Sequence, residues 1–129
     1  MPFWTFGTIE EEPEVRLVHW RVLEASYVDQ DLPPTRHFLG AVVADRTGRV
    51  SSAIEQFDPG ARRGLTQSGR GYGLFGEPSY DSAAEYVWNM WCRINGVASW
   101  IDVTRDAFAA DDAETTARDI KTLTGRYVQ

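Results

Sequence analysis

The sequence predicts an α+β domain: an antiparallel meander of about five strands, a tryptophan-rich α-helix packed on it, and a weaker C-terminal helix. Three observations predict it. Between Val15 and Gly76, β-branched and aromatic residues recur in short runs broken by turn clusters. The connections between the later runs are shorter than the dozen or so residues a parallel crossover needs, so neighbours in sequence are expected to pair antiparallel. From Ser82 onward the apolar spacing changes from two to about 3.6 residues, the period of a helix. A length of 129 residues fits one domain, and 43% hydrophobic with 25% charged residues is the balance of a chain that folds round a core.

Residues 1–13 end in Glu10, Glu11, Glu12 and Pro13 and read as an N-terminal arm whose Phe3, Trp4 and Phe6 dock on the domain or reach a partner. Residues 14–129 then form the single α+β domain. In the first strand, residues 15–23, Val18, Trp20 and Val22 fall on one face and Val15, Leu17 and Leu23 on the other, so both sides are expected to be buried. Residues 29–35, with Pro33 and Pro34, form a loop. A hairpin follows: residues 37–44 as a strand, Asp45-Arg46-Thr47-Gly48 as its turn, and residues 49–57 as the antiparallel partner. Asp58-Pro59-Gly60 turns, residues 62–67 form a short strand, Ser68-Gly69-Arg70 turns again, and residues 71–76 form another.

The helix opens at Ser82-Ala83-Ala84-Glu85, a capping box in which hydroxyl and carboxylate satisfy free amides. It closes at Asn95-Gly96, which tolerate the left-handed conformation. Ala84, Val87, Trp88, Trp91 and Ile94 share the face expected to lie across the sheet. Residues 97–103 alternate and suit a returning strand. A second helix over residues 111–125 carries only Ala113, Ala117, Ile120 and Leu123 on its apolar stripe, too thin for more than peripheral packing.

The net charge is −6, which disfavours generic binding to nucleic acid or anionic membrane. The charge is uneven: residues 36–70 hold six arginines against three acids, a basic island in an acidic chain. Among these arginines, Arg36, Arg62, Arg63 and Arg70, with Tyr72 beside them, are the candidate binding residues, because guanidinium groups grip carboxylates and phosphates in two-pronged contacts. Cys92 is the only cysteine, so no disulfide forms within the chain, and no Cys/His cluster has zinc spacing. No metal and no cofactor are expected. The apolar start lacks a basic region and meets the acidic run at once, so no signal peptide is expected, and no apolar run is long enough to span a membrane. The expected location is the cytoplasm.

Other candidate chemistry is weak. The glycine series from Gly69 to Gly76 lacks the strand-to-helix setting and the Lys-Ser/Thr ending of a phosphate-binding loop. His19 and His37 fall inside strands, and no Gly-x-Ser-x-Gly elbow accompanies Ser51 or Ser52, so catalytic residues: none expected. Cys92, beside Trp91 on the helix, reads as a small buried hydrophobe. Tyr80, Tyr86, Trp88, Trp91 and Trp100 form the densest aromatic group, and any that emerge from the core would make an interaction hot spot.

Four stretches, Pro34-Thr35-Arg36-His37-Phe38-Leu39-Gly40, Gly48-Arg49-Val50-Ser51-Ser52-Ala53-Ile54, Thr66-Gln67-Ser68-Gly69-Arg70-Gly71-Tyr72 and Ala84-Glu85-Tyr86-Val87-Trp88, are similar to a group of small uncharacterised bacterial proteins over roughly residues 17–92. The resemblance implies a bacterial or mobile-element setting and carries over no activity and no site residue. Bulky residues stand in that group where this chain has Gly71 and Gly73, which implies a looser strand here.

The leading expectation is a small non-enzymatic accessory or inhibitor protein acting through protein–protein contacts, with a second copy of the chain among the candidate partners. The alternatives are a nucleic-acid-binding module using the turn arginines, and a small enzyme or ligand-binding domain with its site between sheet and helix near Tyr72 and Trp88.

Overall fold

β1 (Val15–Tyr27) organises the sheet. Its thirteen residues contain neither glycine nor proline, so nothing interrupts the extended backbone. The computed structural model describes residues 14–109; the expected arm over residues 1–13 and the expected helix over residues 111–125 lie outside the described residues. After β1 come β2 (Thr35–Val42), β3 (Gly48–Val50), β4 (Ile54–Asp58), β5 (Arg63–Thr66), β6 (Gly71–Leu74), α1 (Ser82–Ile94) and β7 (Val97–Asp102), and residues 104–109 are helical. The fold is thus α+β, but the sheet has seven strands rather than about five.

The strand order is β3-β2-β1-β6-β5-β4, with β7 pairing β1. β6 lies along the start of β1 (Val15–Leu17) and β7 along its end (Leu23–Tyr27), so the two share one edge while β2 holds the other. The expected antiparallel meander largely fits, since the other pairings are antiparallel, but the β1–β6 pairing is parallel. Four strands separate these two in sequence, which is ample chain for a parallel return.

Residues 49–57 do not form one hairpin arm. The arm breaks at Ser51: β3 pairs with β2, while β4 crosses to pair with β5. Since β3 and β4 end the strand order and are joined by residues 51–53 alone, the sheet rolls up on itself. Ser51 N–H donates to the Phe38 carbonyl at 2.9 Å and Gln67 N–H to the Ala53 carbonyl at 2.7 Å, carrying the hydrogen bonding round the corner.

The rolled sheet separates two cores. Inside it lie Val15, Leu17, Trp20, Val22, Phe38, Tyr72 and Leu74, closed by Val103 and Ala107 from the end of β7 and the helical segment after it. Outside it, Leu23, Ala25 and Leu39 meet Ala84 and Trp88 of α1. The strict alternation expected for β1 fails at one point. Val15 and Leu17 share the inner core with Trp20 and Val22, because the register against β2 slips by one between Val18 and Arg21. His19 occupies the bulge with φ of 50°, a conformation uncommon for a side-chain-bearing residue. Opposite it, a Cβ on Gly40 would stand 3.1 Å from the Trp20 backbone. The bulge turns Trp20 inward, where it is fully buried with its indole N–H donating to the carbonyls of Phe75 and Gly76 at 3.1 and 3.2 Å.

α1 packs closely because of Gly48, where a Cβ would approach the Ala83 carbonyl oxygen to 2.5 Å. Its N-cap is Asp81, not Ser82: the carboxylate accepts from Ala84 N–H at 2.9 Å. Glu85 pairs with Arg21 rather than reaching back to close the expected capping box. The packing is narrower than a tryptophan-rich face implies. Ala84 and Trp88 are buried, Val87 and Trp91 half-buried, and Ile94 is 76% exposed.

Candidate functional site

Of the five residues singled out as a binding set, Arg62, Arg63, Arg70 and Tyr72 lie on or beside the β5–β6 hairpin and Arg36 lies on β2. Arg36 donates to Glu24 at 2.9 Å and Arg63 pairs with Glu14 at 3.1 Å, so each already has a carboxylate partner. Arg62, held at φ of 57°, donates to the Gly76 carbonyl at 2.7 Å and lies 5.6 Å from the Trp20 ring and 5.8 Å from the Phe108 ring. Its guanidinium covers the mouth of the inner core, a packing role for a cation over aromatic faces. Arg70 lies in the turn between β5 and β6, where its carbonyl accepts from Thr66 N–H. Tyr72 is 2% exposed, its ring beside Phe38 and its hydroxyl accepting from Arg49 Nε at 3.0 Å. Tyr72 and Trp88 also belong to different cores on opposite sides of the sheet, so the two do not line a common pocket. The glycine series is a strand with turns at Gly69 and Gly76, and no helix begins until Ser82.

Both histidines have defined partners. His37, buried in the β2 wall, places Nδ1 2.9 Å from the Ser51 carbonyl and Nε2 2.7 Å from the Thr35 hydroxyl, and Tyr27 OH stands 2.6 Å from that hydroxyl. A carbonyl only accepts, so Nδ1 carries the proton and Nε2 accepts from Thr35, which leaves Thr35 to accept from Tyr27. The result is a one-directional chain, Tyr27 to Thr35 to His37 to Ser51. Burial lowers the His37 pKa from its ordinary value, opposed in part by the Ser51 and Ser52 carbonyls. His19 is exposed and reaches Ser79 Oγ at 2.9 Å; among the described residues no carboxylate hydrogen-bonds its ring. The Cys92 thiol is raised by burial first and by Glu85 second, which keeps it protonated and poorly nucleophilic at neutral pH. Among the described residues no group of three His, Cys, Asp or Glu side chains is arranged to hold a metal, and no helix is long and apolar enough to cross a membrane.

What the structure does bring together is an apolar surface on α1. Tyr86, Met90 and Ile94 follow one another at four-residue intervals, so they form one ridge along the helix. They are 67%, 39% and 76% exposed. Glu85, turned to the other flank, ties α1 to Arg21 of β1, and Arg21 also lies 3.7 Å from Asp102 of β7. The charged groups thereby hold one flank of the helix against the sheet while the ridge faces solvent. Tyr86 is the one member of this ridge that belongs to the dense aromatic group of the sequence. Met90 carries no distinguishing signal in the sequence, and Ile94 falls with Trp88 on the face expected to be buried.

No family model, no curated protein and no solved structure matches this chain.

Proposed function

We propose that this protein is a small non-enzymatic accessory or inhibitor protein that works by binding another protein through the outer ridge of α1. The observation that carries the reading is the exposure of Tyr86, Met90 and Ile94 in one row. Tyrosine and methionine are enriched at protein interfaces, and covering a large apolar side chain contributes about 1.5–3 kcal/mol. A rigid support adds to this, because Trp88 and Ala84 anchor the opposite face of the same helix and leave little ordering cost on binding. The acidic net charge and the prior engagement of Arg36 and Arg63 favour a protein over a nucleic acid as partner.

The test uses the full chain and a triple variant, Tyr86→Ser, Met90→Ser and Ile94→Ser. Light scattering and affinity capture from bacterial lysate are expected to show self-association or a specific protein partner for the native chain. The variant is expected to lose that binding by about tenfold or more, with its thermal midpoint retained. A monomeric native chain that captures nothing, or a variant that binds as well as the native chain, overturns the reading.

A further inference from the structure

Where β3 leaves β2 and β4 crosses to β5, the wall of the rolled sheet opens into a groove of about 460 Å³. This is the size range of sites that hold small ligands or a few residues of a peptide, about 300–1,000 Å³. Its floor is apolar, made by Val22, Ile54, Phe57 and Ala107, and its rim carries Arg36 and Glu55. The groove lies on the inner-core side of the sheet, away from α1.

Two features of its walls point to an extended chain as occupant. The first is an open strand edge. Phe38 directs both backbone groups away from β1, its carbonyl to Ser51 N–H and its N–H to Ser51 Oγ, each at 2.9 Å. By the alternation of a strand, Arg36 two residues earlier directs its N–H and carbonyl to the same edge. There β3 has ended, and β4 pairs only with β5 among the described residues. The second feature is charge. Arg36 is neutralised by Glu24 at 2.9 Å, whereas Glu55 makes no ion pair among the described residues, so the rim presents a net negative charge.

We infer that this groove binds an extended peptide segment of a partner protein by strand addition to β2. Its main chain pairs with the Arg36 backbone, an apolar side chain rests on Val22, Ile54, Phe57 and Ala107, and a basic side chain meets Glu55. The inference does not depend on the α1 ridge.

The probes are a fluorescein-labelled KVKVKV peptide, its acidic counterpart EVEVEV, and KVKVKV methylated on its central backbone nitrogens. By anisotropy, the full chain is expected to bind KVKVKV saturably, with EVEVEV and the methylated peptide each weaker by about tenfold or more. Glu55→Arg, an exposed substitution that leaves the fold intact, is expected to reverse the preference between KVKVKV and EVEVEV. The Arg36 amide signal is expected to shift on binding. The α1 triple variant is expected to bind KVKVKV as the native chain does, which separates failure here from failure of the ridge reading. Absence of saturable binding, equal affinity for the two charge forms, no change in preference with Glu55→Arg, or binding that appears only after removal of residues 110–129 would each overturn the inference, the last because the chain itself would then occupy the groove.

Discussion

His37 shows how one side chain couples the sheet to the helix. Its ring lies 4.5 Å from that of Trp91 and 6.0 Å from that of Trp88, and its two nitrogens are committed to Ser51 and Thr35. Protonation would place a second N–H against Thr35, whose hydroxyl would have to turn away and give up its donation to Nε2. Because burial lowers the folded pKa below 6.5, the unfolded chain takes up the proton first as pH falls. The His37 contribution to stability is therefore complete above 6.5 and is lost as pH drops from 6.5 toward the folded value. Urea unfolding across about pH 7.5 to 5.5 should show the native midpoint falling, and His37→Asn should flatten that fall. A native chain with the same pH dependence as the variant would contradict the assignment.

At the scale of elements, the existence of β1, β2, β5, β6, α1 and β7 was legible, because each sits in a run with the right period between turn residues. The turn at Asp45 was legible too: its carboxylate accepts from both the N–H and the hydroxyl of Thr47, which also hold its pKa below the usual value. What failed was the assignment of faces and caps. In β1, apolar residues at 17, 20 and 22 already break strict alternation, and that slip was the trace of the bulge at His19. At α1, Asp81 and Ser82 are both good caps in isolation, and the choice fell to Asp81 once Arg21 had claimed Glu85. Asp81→Ala should therefore cost about 1 kcal/mol, against a few tenths for Ser82→Ala, measured by thermal or urea unfolding. Equal losses from the two substitutions would restore Ser82 as the cap.

For the whole molecule, closure of the sheet depends on the corner at Ser51–Ala53. Ser51 is 1% exposed; its hydroxyl accepts from Phe38 N–H at 2.9 Å and donates to the Ser52 carbonyl at 2.7 Å. Replacing it by alanine strands the buried Phe38 N–H and should cost about 1–3 kcal/mol. Ser52→Ala, which removes only an acceptor for the exposed Ser68 N–H at 3.1 Å, should stay within about 0.5 kcal/mol. If urea midpoints moved equally for both, the corner would not be the point that holds the roll. The same corner shapes the groove, since β3 ends before Arg36 and β4 turns to join β5, so that among the described residues no strand pairs with β2 there.

Local periodicity and turn chemistry determined that this chain folds as a sheet with a covering helix, because those signals are properties of neighbouring residues. Partner choice among strands was decided by the tertiary structure: the parallel β1–β6 contact, the split of residues 49–57 between β2 and β5, and the burial of Tyr72 away from α1. These are contacts between segments far apart in sequence, and their energy comes from filling one enclosed volume. A pattern of two or 3.6 residues carries no record of which distant segment closes that volume, and so none of which surface is left open to a partner.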